Sequence, residues 1–583
     1  MILEEIILKN FRNFADSTIR LKEKSLIIGA NDIGKSNLFY ALRILLDRSL
    51  SEADLEPRES DFCAFTDSDE LSITLKFSSV DEDCVIAKLR EHRSNDGEIY
   101  LQYIAKKKAN VDHSSYLFRA GKSMDCLTEI QSRFYLKVLN LRYLGSNRDL
   151  FSYIRSEKKY LLHDAQENRS DTEKNADVKI LKEIGNHLDK VNKEVRGLNY
   201  VKAATSSLNS ELSKLAFHHT KEDVVFDVGA ADPDGFTQNL RLAIERDGRI
   251  LEVGGDGRNN QVFMALWSSR NAVSKSDLEF TIHCVEEPEA HLHPHQQRKL
   301  AEYLVKSVPG QVIISSHSSQ IAAEFSPNSI IRLRKINDEA TVAASEGCSE
   351  VIKEALFDFG YRLDAINAET FYAATVFLVE GPSEVLFFRA LARALDIDLD
   401  RMNISVTMVD GVGFLPYVQM LDALEVPWVV RTDNDIFKVP RTNYYRLAGF
   451  QRAIDIAQSS YRLNTKDKAL LAEIKPKIAK LTESRVPTSL LPELKELRQL
   501  LKSCNIFLAR QDLESDLTQS DIQDDLALYY GEKDLALLLE EMQAHKATGM
   551  FDFLQANTDC LQKLNGSAFH KQLQRCQKLV SGT

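Results

Sequence analysis

The chain alternates between two hydrophobic rhythms, and the places where one gives way to the other mark its parts. Residues 2 to 29 carry IILKNFRNF and then STIRLKEKSLIIG, where apolar and polar side chains roughly alternate, which predicts strand, turn and strand. A helix-period run follows from about Lys35 to Leu50. LSITLKFSS (71 to 79) and EIYLQYIA (98 to 105) predict further strands, so the first third reads as mixed α/β with an antiparallel component. From about 155 to 215 the rhythm changes. ADVKILKEIGNHLDKVNKEVRGL and SSLNSELSKLAF space their apolar residues as helices do and hold few strand formers. This stretch reads as a helical insertion whose apolar stripe suits dimerisation. Strand-like runs return in FTIHCVEE (280 to 287) and GQVIISSH (310 to 317), each followed by helix. After about 345, ATVFLVEG, NISVTMVD and VPWVVRTDND repeat strand, acidic loop and helix, as a second α/β domain would. From about 445 the chain is mainly helical and charged.

Length and composition narrow the class. At 583 residues the chain exceeds what one core organises, so two to four domains are expected. With 44% hydrophobic and 27% charged residues it has the balance of a soluble globular protein. No apolar run approaches the ~18 residues of a membrane span, and MILEEIILKNF has acids where a signal peptide needs bases, so a cytoplasmic protein with no membrane partner is expected. Eight cysteines without a CxxC pair argue for reduced core residues rather than disulfides or a zinc ribbon. The net charge of −12 disfavours general adhesion to nucleic acid, yet it allows a local basic groove and suits carboxylates that collect metal ions.

The first candidate chemistry is a nucleotide site in pieces. LIIGANDIGKSNLFYALRILL holds Gly29-x4-Gly34-Lys35-Ser36 between an apolar strand and an amphipathic helix, the context a phosphate loop requires. Backbone N–H groups and the helix N-terminus surround the phosphates of ATP, Lys35 neutralises β/γ charge, and Ser36 can ligate Mg²⁺. Asn31, Gly34 and Asn37 complete the candidate loop contacts. In FTIHCVEEPEAHLHP a strand ends in Glu286-Glu287, where one carboxylate can hold the Mg²⁺ shell and the next can orient water. Histidines 283, 291, 293 and 295 cluster nearby, but Pro294 interrupts the HLHPH run, so zinc is not favoured. VIISSHS places His317 past another strand, within reach of a γ-phosphate.

The second candidate is a carboxylate site. Glu380 follows the strand TVFLV and precedes the helix that starts at Pro382. By itself it could cap that helix with Ser383 and Glu384. VPWVVRTDND, however, delivers Asp433 and Asp435 at another strand end, and alternate residues of an extended segment point the same way. With Glu380 they make a hard oxygen site suited to Mg²⁺ or Mn²⁺.

The order of strand, phosphate loop, long insertion, LEVGGDGRNNQ (251 to 261), acidic strand end and strand-His resembles the ABC-type ATPases of the SMC kind. In that family the glycine-rich loop follows a serine and reaches the nucleotide of an opposing subunit. Here Val253 or Gly254 stands there, which implies slow hydrolysis or a sensing role. The Glu-Gly and Asp-x-Asp strand ends resemble the Toprim domain. The combination, including LKNFRNF, EEPE, SSHS, VEGPSE and TDND, resembles the OLD family of nucleases and, within it, the branch found in the Gabija anti-phage system. The resemblance implies an ATPase domain in two parts (1–150 and 221–345), a helical dimerisation insertion (151–220) and a Toprim nuclease domain with a helical C-terminal part (346–583). It also implies a further acidic motif, for which ARQDLESDLTQ offers Glu514 first and Asp512 and Asp516 after it, and a downstream lysine, for which QAHKATGMFDFL offers Lys546. Glu380, Glu384, Asp433, Asp435 and Glu514 would supply two ions roughly 4 Å apart for phosphodiester hydrolysis. DNA, a homodimer or dimer of dimers, and a UvrD-like helicase subunit are the partners implied. Two alternatives stand beside this reading: an ATP-driven DNA clamp with a non-catalytic Toprim domain, and a nuclease that works without a helicase.

Overall fold

Three strands, not two, open the chain. β1 (Ile2–Phe11) and β2 (Phe14–Arg20) form an antiparallel hairpin, reversed through Asn10 and Arg12, which take left-handed backbone at φ 53° and 50°. β3 (Lys24–Ile28) then leaves for a different sheet. The computed structural model describes all residues except 108–114, 146–160, 164, 216–223, 226–242, 247–248, 253–261, 263–264, 266–278, 291, 337–338, 350–367, 410–412, 462 and 582–583. The glycine-rich loop from Val253 and the expectation for His291 therefore fall outside the described residues. The chain divides into two compact units: Met1–Ser146 with Ser276–Glu289 and Pro294–Thr583, and Asn147–Lys275 with Ala290–His293.

In the first unit, β4 (Glu70–Ser78), β5 (Ile99–Lys106), β6 (Ser115–Gly121) and β7 (Leu127–Ile130) join the opening hairpin in an antiparallel sheet ordered β2-β1-β4-β5-β6-β7. β8 (Leu139–Leu144) belongs to the second sheet. The short hairpin β9 (Ala243–Arg246) and β10 (Arg249–Glu252) lies in the other unit. β11 (Phe280–Glu286), β12 (Val312–Ser315), β13 (Ile330–Lys335) and β14 (Thr341–Ala343) complete the second sheet, ordered β14-β13-β3-β12-β11-β8. All its pairings are parallel except β13 with β14. The helix Lys35–Leu46 shares one core with apolar residues of both sheets, including Leu3, Ile6, Leu75, Leu101, Ile282 and Ile313. Its Leu38, Phe39, Ala41, Leu42, Ile44, Leu45 and Leu46 are all buried, as a helix covered on several sides requires. It stops short of Leu50 because the Asp47 carboxylate accepts the Ser49 N–H at 2.7 Å, a local turn that competes with helix.

The same unit carries a second core. β15 (Thr375–Val379), β16 (Ile404–Met408), β17 (Trp428–Thr432) and, after the hairpin β18 (Ile436–Lys438) and β19 (Tyr445–Leu447), β20 (Ile506–Leu508) form a parallel sheet ordered β16-β15-β17-β20. β15 and β17 are buried at every position, the pattern of strands with both faces covered. The helices Pro382–Ala394, Lys546–Asn557 and Ala568–Ser581 contribute Phe387, Phe388, Phe553 and Phe569 to this core. A junction joins it to the first core. Arg332 of β13, largely buried, donates to the carbonyls of Glu425 (2.9 Å), Leu424 (3.3 Å) and Ala373 (3.3 Å). Arg334 pairs with Glu425, and the Tyr372 hydroxyl donates to the Ser318 carbonyl at 3.2 Å.

The second unit contains the helices Asp171–Gly197 and Asn199–Leu215. Ser170 and Glu173 start the first with a capping box. Val178, Ile180, Val191, Leu198, Tyr200 and Leu208 are exposed apolar residues on this pair. All eight cysteines are free thiols; six are buried as expected, whereas Cys84 is half-buried and Cys126 exposed. Among the described residues no helix is long and apolar enough to cross a membrane.

Candidate functional site

β3, β12 and β11 lie side by side and parallel, with Ile27 level with Ser315 and Ser315 level with Glu286. Their C-terminal ends therefore release the loop Gly29–Ser36, the segment Ser316–Ser318 and the pair Glu286–Glu287 at one edge of the sheet, where α/β proteins bind ligands. Gly34 has φ 103°, and a Cβ there would overlap the Asn13 amide, so both backbone and space demand glycine. Lys35 is buried, and its Nζ donates to the carbonyls of Ala30 (2.8 Å) and Gly29 (3.1 Å). Burial lowers its pKa, opposed by the charges of Glu287, Asp32, Glu286 and Glu289. Asn31 and Ser36 are exposed at the loop. Asn37 is used within the protein instead: its amide accepts from Arg12 at 2.8 Å and donates to Asn13 at 2.7 Å. Beside it runs an open cleft of ≈ 1040 Å³ whose lining includes Arg12, Asn13, Phe62, Phe65 and Lys107.

Glu286 is buried and accepts the Tyr143 hydroxyl at 2.8 Å. Glu287 takes left-handed backbone (φ 43°), and its carboxylate stands 3.7 Å from His317 Nε2. Burial lowers the His317 pKa, as does the nearby Lys35 charge, although Glu287 opposes both. Glu289 holds this histidine's backbone, since its Oε1 accepts from His317 N (2.7 Å) and Ser316 Oγ (2.8 Å). Its other oxygen is buried without a partner among the described residues, and burial raises its pKa. Sequence reasoning missed Arg12, Asn13, Tyr143 and Glu289. Only Glu289 had a visible signal, as the third acid of EEPE; the others reach the site through sheet pairing.

The carboxylates gather at the C-terminal ends of β15, β17 and β20, which are adjacent and parallel. Glu380 Oε1 accepts from Thr432 Oγ1 (2.6 Å), Asp433 N (2.9 Å) and Arg452 Nη2 (2.6 Å). Glu384 is buried and fully engaged: Oε2 accepts the Glu380 N–H at 2.6 Å and Oε1 the Arg431 Nε–H at 2.9 Å. Arg431 is 1% exposed and pairs also with Asp516 at 2.7 Å. Burial works against its charge, but Asp516 and Glu384 more than offset that and raise its pKa. Glu384 thus braces the site here rather than offering a free oxygen. Asp512 caps the helix Leu513–Leu517 through Ser515 N (2.9 Å) and accepts from Gln543 Nε2 (2.6 Å).

The remaining carboxylates are in a different condition. Among the described residues, Asp433 Oδ1 and Glu514 Oε1 are buried with no hydrogen-bond partner. Burial, followed by repulsion from Glu384 and Glu380, pushes the Asp433 pKa up to about 9. Asp435 and Glu514 are raised as well, by burial first. Lys546 lies within the field of Glu514, Asp512, Asp433 and Asp435, which hold its pKa up against burial. Seven carboxylates here meet four cations among the described residues, Arg431, Arg452, Lys546 and, at the edge, Arg510, which stands 4.0 Å from Asp516. Among the described residues no three acidic, histidine or cysteine side chains stand ready to chelate an ion as they are, because Glu380, Glu384 and Asp512 are turned onto protein donors. The orphaned oxygens and surplus negative charge fit a hard divalent cation. Sequence reasoning missed Thr432, Arg431 and Arg452, whose roles depend on contacts with Glu380 and Glu384 47 to 72 residues away.

The AAA ATPase domain pattern matches residues 1–225 and 148–322, more than half of the chain. The pattern described as overcoming lysogenization defect protein-like, TOPRIM domain, matches residues 371–435. The chain is 27% identical over 473 residues to "Endonuclease GajA" of Bacillus cereus (strain VD045), covering 78% of this chain and 79% of that protein. It is 26% identical over 471 residues to "Old nuclease" of Escherichia phage P2, covering 74% and 77% respectively. Among solved structures it is similar to an SMC head bound to the C-winged helix domain of ScpA, 16% identical, covering 59% of this chain and 97% of that one at a TM-score of 0.35.

Proposed function

Because the chain belongs to the AAA ATPase domain family and carries an OLD-like Toprim domain, we propose that it is a nucleotide-regulated, metal-dependent DNA endonuclease. The observation that carries this reading is the carboxylate cluster at the ends of three parallel strands, with Asp433 and Glu514 oxygens buried and unpartnered. Relatives named as an endonuclease and a nuclease, aligned over most of their length, support it.

Asp433, Asp435 and Glu514 would hold the ions, with Glu380 presenting Oε2 because its Oε1 is saturated by three donors. Mg²⁺ or Mn²⁺ supplies Lewis acidity toward a phosphodiester and lowers the pKa of water. Arg452 and Thr432 fix the Glu380 carboxylate, and the Arg431 pairs with Glu384 and Asp516 keep the strand ends in register. Lys546 meets negative charge on the scissile phosphate. At the ends of β3, β11 and β12, Lys35, Ser36, Glu286, Glu287 and His317 would receive ATP, with slow turnover. A homodimer or dimer of dimers, a UvrD-like helicase subunit and a role in anti-phage defence belong to the same reading.

The test is nicking of supercoiled DNA with Mg²⁺ or Mn²⁺. Wild-type protein is expected to nick, while Glu380→Ala and Asp433→Ala lose at least about a thousandfold in rate, since each removes a side chain that sets the ion. Lys35→Ala should bind ATP at least about tenfold more weakly without touching the carboxylates. Cutting by Asp433→Ala at the wild-type rate would exclude the assignment, and DNA retardation without cutting would favour the clamp.

A further inference from the structure

The twelve residues Ile436–Leu447, IFKVPRTNYYRL, begin immediately after Asp435 and contain Lys438, Arg441 and Arg446 but no acid, in a chain whose net charge is −12. They fold as the antiparallel hairpin β18–β19, with Phe437 opposite Arg446 and Lys438 opposite Tyr445. All three cations are exposed, and among the described residues none is paired with a carboxylate. Phe437 and Tyr444 are 47% and 45% exposed. Because facing residues of a ladder share a side of the sheet, Phe437 and Arg446 present an aromatic ring and a guanidinium together to solvent. Unpaired cations interleaved with exposed aromatics next to a carboxylate cluster match a nucleic-acid backbone and its bases.

The hairpin is built to hold its position. Its tip closes through Val439 N to Tyr444 O (2.9 Å) and Thr442 N to Val439 O (3.2 Å), with Arg441 in left-handed backbone at φ 60°. Along its outer edge Tyr445 and Leu481 exchange N–H···O bonds of 2.8 and 2.7 Å. Both ends are anchored at the carboxylates. Ala448 N donates to Asp435 O at 3.0 Å, and a Cβ on Gly449 would overlap the Asp433 carbonyl, so the following helix presses directly on the Asp-x-Asp turn. One turn on, Arg452 of that helix holds Glu380 at 2.6 Å. At ~3.3 Å per extended residue, Phe437 starts within about 7 Å of Asp435 along the chain.

We propose that this arm grips the nucleic acid cut at the carboxylate site. Lys438, Arg441 and Arg446 hold backbone phosphates, and Phe437 and Tyr444 stack on bases unpaired beside the scissile bond. The inference rests on the endonuclease reading and adds the substrate-holding surface to it.

The experiment uses the full chain, without divalent metal so that nothing is cut, and measures fluorescence anisotropy of a labelled DNA duplex and of the same duplex with a short single-stranded gap, across a salt series. One variant combines Lys438→Ala, Arg441→Ala and Arg446→Ala; the other combines Phe437→Ala and Tyr444→Ala. The charge variant is expected to bind both DNAs at least about tenfold more weakly and to lose about 2–3 from the slope of log K against log salt, near 0.9 per phosphate contact. The aromatic variant is expected to weaken binding to the gapped DNA at least about fivefold more than to the paired one. Both should keep the wild-type melting temperature and ATP affinity, since every substituted side chain is exposed. Wild-type DNA binding that persists in both variants with an unchanged salt slope overturns the arm alone and leaves a protein partner as the occupant of this surface. Wild-type protein that binds neither DNA overturns the endonuclease reading together with the arm.

Discussion

Asp433 carries a sharp local conflict: a buried carboxylate oxygen with no donor, flanked by Glu384 and Glu380, in a site where Arg452 and Arg431 are committed to other carboxylates. Leaving a buried polar atom unsatisfied costs roughly 1–3 kcal/mol, and more when the group is charged. A divalent ion would relieve that cost, so Mg²⁺ or Mn²⁺ should raise the melting temperature of the wild-type protein. Occupancy at a hundred times the dissociation constant contributes about 2.7 kcal/mol. Asp433→Asn should melt at or above the metal-free wild type, because it removes repulsion, and should lose most of the metal-induced rise. Differential scanning fluorimetry at constant ionic strength reads both effects. A wild-type melting temperature indifferent to either metal would count against the site independently of any cutting assay. Glu380 was legible in the sequence as a strand-end acid. That its Oε1 would be saturated by Thr432, Asp433 and Arg452 was not, since two partners lie on the neighbouring strand's end and the third on a helix beyond the hairpin.

At the scale of elements, the strand β11 combines two demands. Its end must deliver Glu286 and Glu287 to the nucleotide edge, while its middle, including His283 at 5% exposure, is core. Burial, helped by Arg142 and Lys24, pushes the His283 pKa down to about 3. An unfolded chain would bind its proton near 6.5. Below that pH the unfolded state holds more protons than the folded one, so the stability His283 contributes is present above about 6.5 and is lost as pH falls toward 3. The expected loss is about 1.4 kcal/mol per pH unit in that window. Between pH 6.5 and 5, His283→Gln should therefore lose about 2 kcal/mol less than wild type in chemical denaturation followed by circular dichroism. Equal pH dependence in the two proteins would mean that this histidine is solvated. The strand was visible from its apolar run. The charges that help set its chemistry, Arg142 on β8 and Lys24 on β3, lie far from it in sequence.

At the scale of the molecule, two cores in one unit meet through Arg332, Arg334, Glu425, Tyr372 and Ser318. Tyr372 touches the segment that carries His317, and Glu289 fixes the same segment from the acidic strand end. If nucleotide binding shifts His317, these hydrogen-bonded groups would carry the shift to the entry of the carboxylate domain. ATP is expected to restrain cutting, with metal held in excess over nucleotide so that chelation cannot mimic inhibition. Arg332→Ala leaves three backbone carbonyls without their donor and should abolish most of that restraint, while ATP affinity and cutting without nucleotide stay within about threefold of wild type. Restraint of wild-type size in Arg332→Ala would place the coupling elsewhere.

Local pattern by itself determined much of this. The phosphate loop, the strand-end acids and the helical stretch around 171–215 follow from hydrophobic period and from the few residue types that hold phosphates or hard cations, which are properties of neighbours in sequence. It did not determine the turn at Asn10–Arg12 that makes three strands of the opening segment, the short strands β14 and β20, or the arm β18–β19, where three-residue strands leave too little periodicity to read. Nor could it say which acids would be saturated and which left bare. Glu384, Asp512 and Glu514 look alike along the chain; only the folded structure set Arg431 against the first, Gln543 against the second and, among the described residues, no donor against a buried oxygen of the third. Those contacts join residues 31 to 47 positions apart or, for Glu514, depend on a donor being absent, and only the pairing of distant segments decides them.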